Sequence, residues 1–396
     1  MPKILRIVNR FNLGGPAYSI AYLTKYLDSK FEIKLIGGKR DDFEESSEFI
    51  LEMLDVEYTV LENMKRSINI RRDLRSYKEI KNIIAEFKPD IVHTHAAKAG
   101  AIGRLAAHRM NVPVVVHTFH GHVFHSYFGK LKTSFYKRLE RYLAKKSSGI
   151  ITLSKAQHNE ICNLHSICPE NKAFIVPLGL NLDRFQQDNA SKRSEFRQEW
   201  SIDEDTILIG IVGRVVPIKN HVFFLEAMKR LKSQTEKRVI GMIVGDGDMT
   251  EEMINRSKEM GLSVSCPKEN VDKPDVIFTS WITSIDKVNA SLDIMCLTSL
   301  NEGTPVSLIE AQACSLPIVS TNVGGVEDIV IDGVSGHLVD NQDIDQFVGH
   351  LIELVESKAK RESMGVAGKK HVFDKHHYTQ ACQRMEKIYL QLLNAK

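Results

Sequence analysis

The chain has 396 residues, 43% of them apolar and 26% charged, and its formal net charge is +3. This length exceeds the size of one hydrophobic core and predicts two domains, while the composition, without a long low-complexity tract, is typical of a soluble globular protein. No apolar run approaches the ~20 residues that cross a bilayer, which excludes a membrane-spanning helix. No signal-peptide cleavage pattern follows the first strand-like segment, and the six cysteines show no CxxC spacing. Both features predict a cytoplasmic protein with free thiols.

The charge is distributed unevenly along the chain. Residues 1–200 hold 32 Lys and Arg against 22 Asp and Glu, and residues 101–150 alone hold nine basic side chains against one acidic. A basic first half favours an acidic substrate or an anionic surface as its partner.

The first half of the chain is predicted to alternate strands and helices. Gly14 and Gly15 lie between a predicted strand at residues 3–8 and a predicted helix that runs to about residue 27. Strand, glycine turn and helix form the unit that directs backbone N–H groups at a phosphate. The turn lacks the GxGxxG pattern, which disfavours a dinucleotide-dependent oxidoreductase.

Two later predicted strands end in histidines, and seven of the fifteen histidines lie between residues 93 and 125. Ligands collect at the carboxyl ends of parallel strands, so these side chains are candidates for a site. His120 is the selected candidate, because Gly121 follows it and predicts a turn that exposes it. A zinc cluster is one alternative, but the spacing lacks a helical His-x-x-x-His pair or a cysteine partner, so no metal is expected. The other histidines are expected to be hydrogen-bonded side chains that line a polar cleft.

A basic helix is predicted at residues 128–146. Leu131, Phe135, Leu139 and Tyr142 form an apolar stripe along one face of it. The basic side chains interleaved with this stripe are Lys130, Lys132, Lys137, Arg138, Arg141, Lys145 and Lys146. One interpretation docks the stripe on the sheet and leaves the charges in water. The other places the helix against an anionic membrane or a phosphate-bearing acceptor.

The pattern restarts after a polar tract at residues 186–204, which is the predicted linker. Gly213, Arg214 and Lys219 lie between a predicted strand and a predicted helix, and Gly245 ends the next strand. Two cations beside a glycine turn suit a diphosphate, although ordinary surface charge gives the same pattern.

A third strand–turn–helix unit lies around two glutamates. Thr304 is the predicted N-cap, and Pro305 is the first residue of a helix that ends at about Ser315. Glu302 precedes this helix and Glu310 lies inside it. Two carboxylates so placed can bind two ends of an elongated ligand, with helix N–H groups between them. An ordinary helix start with two solvated glutamates is the alternative.

The alternation in both halves predicts an α/β protein with two doubly wound, Rossmann-like domains. We expect the first domain at residues 1–190, the second at residues 191–375 and a final helix at residues 376–396.

Together these residues resemble the retaining glycosyltransferases of family 4, which have the GT-B fold. The resemblance spans essentially the whole chain and is strongest at residues 210–339. The family's Glu-x7-Glu and Gly-Arg-x4-Lys elements are matched by Glu302, Glu310, Gly213, Arg214 and Lys219. Its glycine turns are matched by Gly245 and Gly247, by Gly324 and Gly325 and by Gly14 and Gly15, and its His-Gly pair by His120 and Gly121.

The resemblance implies two domains facing a cleft, with the last helix crossing back to the first domain. It implies that Arg214 and Lys219 hold the diphosphate of a nucleotide-sugar, that Glu310 binds the ribose and that Glu302 faces the donor sugar. The remaining implied contacts are the backbone at Gly213, Gly245, Gly303, Thr304, Pro305 and Val306, the backbone at Gly14 and Gly15, and the side chain of His120.

The implied reaction moves a sugar, with retention, from a nucleotide-sugar, expected to be a UDP-sugar, to a glycan or polyprenyl-linked acceptor in cell-surface polysaccharide assembly. The enzyme would be a hexosyl- or N-acetylhexosaminyl-transferase without cofactor, metal or nucleic acid, with peripheral contact to the inner face of the membrane. A nucleotide-sugar epimerase on the same fold is one alternative. A non-catalytic nucleotide-sugar-binding homologue is the other, disfavoured because both glutamates and the Arg/Lys pair are intact. Ser280, Trp281 and Ile282 depart from the family's common Gly-Trp-Arg, which leaves the donor open.

Overall fold

The computed structural model of the protein describes residues 1–12, 14–27, 29–41, 44–120, 130–269, 271–340 and 343–395. The chain forms two units, Met1–Leu180 with Lys375–Lys396, and Asn181–Asp374. The division follows Leu180, ten residues before the boundary expected from the sequence, and the final segment belongs to the first unit. None of the described helices is both long and apolar enough to span a membrane.

Strands and helices alternate along the described chain. The strands are β1 (Lys3–Val8), β2 (Glu32–Gly38), β3 (Tyr58–Leu61), β4 (Ile91–His95), β5 (Val114–Thr118), β6 (Gly149–Thr152), β7 (Ala173–Ile175), β8 (Ile207–Val212), β9 (Val239–Val244), β10 (Val264–Ser265), β11 (Val276–Phe278), β12 (Ile294–Leu297), β13 (Ile318–Thr321) and β14 (Gly336–Val339). The helices are α1 (Gly15–Lys25), α2 (Glu48–Met53), α3 (Ile70–Phe87), α4 (Ala97–Arg109), α5 (Lys130–Lys145), α6 (Lys155–Asn159), α7 (Asn189–Glu199), α8 (His221–Lys232), α9 (Thr250–Glu259), α10 (Ile285–Ser291), α11 (Val306–Ala313), α12 (Ile344–Glu356), α13 (Lys358–His376) and α14 (Tyr378–Asn394).

Each unit is built on one parallel sheet, which confirms the predicted fold class. Over the described residues the first sheet has the order β3-β2-β1-β4-β5-β6-β7, and the second has the order β10-β11-β9-β8-β12-β13-β14. In both sheets the order reverses in the middle, as in a doubly wound fold. The central strands β4, β5 and β9 are buried at every position, because helices cover both faces of a parallel sheet.

The final helix completes the core of the first unit. Met385, Ile388 and Tyr389 of α14 pack in one apolar cluster with Ile4 of β1 and Val116 of β5. A separate cluster of the same unit joins β1, β4 and β5 to α3 and α4. The residues at the end of the chain therefore cover a sheet that residues near its beginning form.

The tract predicted as a polar linker instead contains helix α7. Arg197 is fully buried, and its guanidinium donates to the backbone oxygen of Ser291 and to Asp293 Oδ2, the latter at 2.7 Å. Asp293 also accepts a hydrogen bond from the backbone N–H of Leu208. A polar side chain thus anchors α7 to the second sheet, so the hydrophobic pattern did not reveal the helix.

Helix α5 docks by a different face from the predicted stripe. Phe135 and Tyr142 are 63% and 51% exposed, whereas Leu143 and Ala144 are buried. The side chain of Leu131 and residues 128–129 lie outside the described residues. The reason is an ion pair: Glu140 accepts from the fully buried Arg104 of α4 at 2.7 Å, which turns that side of α5 inward. The helix is thus docked on its own unit with a solvated outer face, as one interpretation predicts, but Phe135 and Tyr142 lie on that outer face and do not cover the sheet.

Candidate active site

Four neighbouring strand ends carry the candidate residues of the second unit. Strands β9, β8, β12 and β13 are adjacent in the sheet, and all run in the same direction. Gly245 follows β9, Gly213 follows β8, Glu302 lies beyond β12 and Gly324 lies beyond β13. Residues far apart in sequence therefore meet at one edge of the sheet, as predicted for a doubly wound fold.

Two of the glycine turns pack backbone against backbone. Gly245 has a φ of +138°, and a Cβ there would lie 2.1 Å from the carbonyl oxygen of Gly213. The N–H of Gly213 donates to the carbonyl of Val244, and that of Gly245 donates to the carbonyl of Ser280. Any side chain at Gly245 would push the turns apart, which explains the glycine.

Lys219 and Glu302 form an ion pair beside these turns. Lys219 Nζ lies 2.6 Å from Glu302 Oε1, and the hydroxyl of Ser299 donates to the same oxygen at 2.6 Å. Thr298 ties the segment after β12 to the turn before α8, because its hydroxyl donates to the backbone oxygens of Lys219 and Asn220. The pair is mostly buried, with 21% of the lysine and 12% of the glutamate side chain exposed.

Arg214 differs from Lys219 in having no described partner. Its side chain is exposed and forms no ion pair or hydrogen bond with another described residue. A solvated guanidinium next to the Gly213 turn is available to an anionic ligand.

The helix at the glutamate pair begins later than predicted. Pro305, with φ −73° and ψ 95°, is the N-cap, and α11 starts at Val306 and ends at Ala313. Thr304 is therefore not the cap, and Pro305 is not the first helical residue. No described side chain caps this helix, so its first N–H groups are open to a ligand. A Cβ at Gly303 would meet no described atom within 4 Å, which leaves room in front of the helix.

Glu310 lies on α11 beside a cation that the sequence did not indicate. Arg184 Nη2 is 3.5 Å from Glu310 Oε1, and only 17% of the glutamate side chain is exposed. Burial raises the pKa of Glu310 to about 7, against the opposing effect of Arg184. The carboxylate is thus held where a further hydrogen-bond donor would stabilise its charge.

The first unit has its own small cavity at the ends of β1 and β4. It measures about 110 Å³, and its lining includes Arg10, Gly14, Pro16, His95 and His120. Helix α1 starts at Gly15 after the extended Gly14, and no described side chain caps it. The predicted glycine turn and the predicted histidine therefore border the same space.

His120 is paired with a second histidine that the sequence analysis did not select. His95 Nδ1 and His120 Nε2 are 2.9 Å apart, so one ring donates and the other accepts. Burial lowers the pKa of His120 to about 4 and that of His95 well below its usual range, so both rings are neutral at neutral pH. His120 Nδ1 has no partner among the described residues. Gly121, His122 and His125 lie outside the described residues.

The other strand-end histidines have structural partners. His93 lies between Tyr389 Oη, 2.5 Å from its Nδ1, and Thr118 Oγ1, 2.7 Å from its Nε2. His117 Nδ1 contacts the hydroxyl of Thr94 at 2.9 Å. Successive side chains of β4 lie on opposite faces of the sheet, so Thr94 lies on the face opposite His93 and His95. This one strand therefore provides buried structural contacts and also a side chain that lines the cavity.

Two family models match the chain, one in each half. The model described as Glycosyltransferase Family 4 matches residues 13–184, and the model described as Glycosyl transferases group 1 matches residues 192–371. A UDP-Gal:alpha-D-GlcNAc-diphosphoundecaprenol alpha-1,3-galactosyltransferase of Escherichia coli is 30% identical over 296 residues, which cover 74% of this chain and 73% of that enzyme. The capsular polysaccharide biosynthesis glycosyltransferase CapM of Staphylococcus aureus is 25% identical over 86% of both chains.

Solved structures share the fold at low sequence identity. The UDP complex of Anabaena Alr3699/HepE superposes with a TM-score of 0.80 at 17% identity and covers 98% of this chain and 100% of that one. A glycosyltransferase from Rickettsia africae superposes equally well, with 19% identity, over 100% of this chain and 99% of that one.

Proposed function

The chain belongs to the group 1 glycosyltransferases of family 4, and we propose that it moves a sugar from a UDP-sugar to a lipid-linked glycan with retention of the anomeric configuration. The Lys219–Glu302 ion pair carries the proposal. It lies where four strands end, beside glycines that let a ligand reach the backbone. The cation of such a pair can contact the leaving phosphate, and the carboxylate can contact the sugar, which are the two groups that the breaking bond joins.

The donor's diphosphate is assigned to Arg214, Lys219 and the open N-terminus of α11. Among the described residues Arg214 has no partner and the ammonium group of Lys219 pairs with Glu302 alone, so both cations are available to the phosphates. Glu310 is assigned to the ribose hydroxyls, which would donate to its carboxylate. Glu302 is assigned to the sugar, where it orients the anomeric carbon without becoming a covalent nucleophile.

The proposed reaction breaks the bond between the anomeric carbon and the β-phosphate oxygen. The acceptor hydroxyl forms the new bond on the same face, and its proton passes to the departing phosphate oxygen. The leaving nucleoside diphosphate gains negative charge as the bond breaks. Fixed cations and helix N–H groups stabilise that charge more in the transition state than in the ground state. Because Arg214 and Lys219 supply the positive charge, we propose that the reaction requires no bound metal, so EDTA should leave the rate unchanged.

The first unit contributes candidates of its own to this reaction. We assign His120 Nδ1 to a hydrogen bond with the donor sugar, since His120 lines the cavity and this nitrogen has no partner among the described residues. His95 is then a positioning residue, because it fixes which ring nitrogen of His120 carries the proton. The N–H groups at Gly14 and Gly15 are assigned to the leaving group.

The relatives indicate which donor and acceptor to test first. The E. coli relative takes galactose from UDP-Gal to GlcNAc-diphosphoundecaprenol. We therefore propose a polyprenyl-diphosphate-linked sugar as the acceptor, with UDP-hexoses and UDP-N-acetylhexosamines as donors. A thermal-shift screen against UDP, GDP, ADP and their sugars, without metal, should show stabilisation by UDP compounds.

The decisive test is sugar transfer by the parent chain and by Lys219→Ala. Loss of Lys219 removes a cation from the leaving group, so we expect kcat/KM to fall by about 100- to 1,000-fold. Lys229→Ala, which removes an exposed lysine from the following helix, is the matched control and should keep full activity. Full activity of Lys219→Ala would contradict the assigned site. Conversion of the donor without acceptor would identify an epimerase instead, and NMR of the product distinguishes retention from inversion.

We also propose that helix α5 contacts an anionic membrane. Phe135, Arg138, Tyr142 and Lys145 recur at helical spacing, and all four are exposed. Aromatic and basic side chains on one face are typical of a helix that lies in the membrane interface. This face carries the cations, whereas the buried face holds Glu140.

Helix α3 adds a similar surface to the same unit. Ile70 and Leu74 are 75% and 56% exposed, and Arg71 and Arg75 are exposed beside them. Helices α3 and α5 each pack against α4, so the two surfaces flank one helix. Contact with lipid would cover these apolar side chains.

The membrane proposal is tested by sedimentation with vesicles of phosphatidylglycerol. Lys132→Gln, Arg138→Gln and Lys145→Gln together should weaken binding at least ~10-fold, since each surface charge contributes about 1 kcal/mol. The matched control removes three exposed lysines of the second unit, Lys268→Gln, Lys358→Gln and Lys370→Gln, and should bind as the parent does. Equal binding by both triple variants would overturn the assignment.

A further inference from the structure

Three metal-ligating side chains converge at the edge of the second sheet. Strand β14 is the last strand in that sheet, and helix α12 packs against it. His337 lies on β14, and His350 and Glu353 lie three residues apart on α12, hence on one face of the helix. None of these residues is used by the proposed donor site.

The ligand atoms of the three side chains lie within 4.8 Å of one another. His337 Nε2 is 3.1 Å and His350 Nδ1 is 3.7 Å from the same oxygen, Glu353 Oε2. The two imidazole rings stack with centroids 3.8 Å apart and planes 8° from parallel. Both ring nitrogens therefore approach one carboxylate oxygen from neighbouring positions.

The buried nitrogen of His337 points to an additional ligand. His337 is only 7% exposed, and its Nε2 makes no hydrogen bond with any described residue despite the close carboxylate. A buried polar atom without a hydrogen bond is costly, and native structures seldom leave one without a reason. A metal ion would satisfy this lone pair together with that of His350 Nδ1.

We propose that His337, His350 and Glu353 bind a divalent transition-metal ion of the zinc type, which ties the edge strand β14 to helix α12. Two imidazole nitrogens and one carboxylate oxygen form a ligand set that Zn²⁺ uses in proteins, with water completing the tetrahedron. Such a site would stabilise the second unit and leave the sugar-transfer chemistry to other residues.

One oxygen of the Glu353 carboxylate is not engaged by the neighbouring lysine. Lys360 contacts the other carboxylate oxygen, Glu353 Oε1, so Oε2 stays free for the metal. The alternative is a histidine–glutamate cluster held by Lys360 alone. That alternative predicts no specific uptake of metal, which makes the two cases separable by experiment.

The first experiment titrates EDTA-treated full-length protein with Zn²⁺ by calorimetry. We expect one equivalent to bind and the melting temperature to rise. His350→Gln and Glu353→Gln should each lower the affinity for Zn²⁺ about 100-fold or more, because each removes a residue that binds the metal directly and not one that only hydrogen-bonds to a ligand. His371→Gln changes another partly exposed helical histidine of the same unit and should bind Zn²⁺ as the parent does.

A second experiment needs no variant and localises the ion. Diethyl pyrocarbonate modifies accessible histidines, and mass spectrometry reports each site. Zn²⁺ should protect His350, which is partly exposed, and should leave the exposed His108 of the first unit reactive. Unchanged modification of His350, equal affinity of the parent and His350→Gln, or no uptake at 100-fold excess Zn²⁺ would each overturn the proposal.

Discussion

The carboxyl group of Glu310 is held where its charge is unfavourable. Burial raises its pKa from an ordinary value of 4.5 to about 7, although Arg184 opposes the shift. Between these two pH values the folded chain binds a proton that the unfolded chain has released. Stability therefore falls as the pH rises through this window, and the full cost is present above pH 7.

At pH 8 we expect the free energy of unfolding of Glu310→Gln to exceed that of the parent by about 1–3 kcal/mol, so that the variant unfolds at a higher urea concentration. Near pH 4.5 the two proteins should be equally stable. The amide keeps the shape of the side chain and removes the buried charge. Urea unfolding at both pH values measures the difference. Glu259→Gln, at an exposed position, should change stability by less than ~0.5 kcal/mol, and an equal gain in that control would contradict the argument.

The same residue predicts a pH dependence of donor binding. If ribose hydroxyls donate to the Glu310 carboxylate, a bound UDP-sugar favours its ionised form. Affinity should then rise from pH 6 to pH 8, as the free carboxyl loses its proton around pH 7. Calorimetry with an intact UDP-sugar is the measurement, because its diphosphate does not titrate in this range. Glu310→Gln should bind more weakly at pH 8 and show a flat profile, whereas a sloping profile in the variant would contradict the assignment.

The turn after β13 fixes the position of Glu302 through its backbone. Gly324 has a φ of +55°, and the N–H of Gly325 donates to the carbonyl of Glu302 at 3.2 Å. A Cβ at Gly324 would lie 1.9 Å from that same carbonyl oxygen. The turn and the segment that carries Glu302 must therefore move together.

Gly324→Ala tests this coupling between two turns. The added methyl group has no room, so we expect a loss of about 2–4 kcal/mol in stability and a lower kcat as Glu302 shifts. Gly333→Ala is the matched control, because Gly333 has a φ of +69° but no described atom within 4 Å of the new Cβ. It should lose only about 1–2 kcal/mol and retain kcat. Equal losses in both variants would show that strain, and not contact with Glu302, limits Gly324.

At the scale of elements, apolar runs and glycines made much of the site predictable. The strand before Gly213 and the one before Gly245 were placed correctly, because a buried parallel strand is a short apolar run that ends at a turn residue. Helix α7 was missed because a buried arginine anchors it, and the docking face of α5 was misjudged because Glu140 pairs with Arg104. Buried ion pairs between distant residues leave no periodic signal in a sequence.

At the scale of the whole molecule, the two parallel sheets and the family could be predicted, but the partners of the site residues could not. The alternation of strands and helices predicts two doubly wound domains, and the glutamate, Arg/Lys and glycine motifs, taken together in their order along the chain, resemble those of the family. Arg184 and His95 meet their partners only through the fold, at separations of 126 and 25 residues in the chain. Sequence patterns thus indicate which strand ends carry the site, and tertiary structure decides which side chains support it.

The first unit closes with a tyrosine from the last helix. Tyr389 is fully buried, and its hydroxyl lies 2.5 Å from His93 Nδ1 and 3.5 Å from Arg6 Nη2. Arg6 Nε and Nη1 have no partner among the described residues, so this hydroxyl is one of the few described groups that accept a hydrogen bond from the buried guanidinium. Residues 1–180 therefore depend on a contact that the chain supplies only at its end.

We expect Tyr389→Phe to lose about 1–3 kcal/mol of stability, because Nδ1 of the buried His93 loses its described partner and the buried Arg6 guanidinium keeps only the backbone oxygen of Leu23 among the described acceptors. Urea unfolding of the full chain measures the loss. Tyr26→Phe makes the same chemical change at a 43% exposed position and should stay within ~0.5 kcal/mol of the parent. If the two variants unfold alike, the hydroxyl contributes nothing to the core. A destabilised Tyr389→Phe beside an unchanged Tyr26→Phe has a consequence for truncation. A chain cut after residue 377 lacks α14, which exposes both the apolar cluster that α14 covers and these polar groups, so we expect the first unit of that chain not to fold.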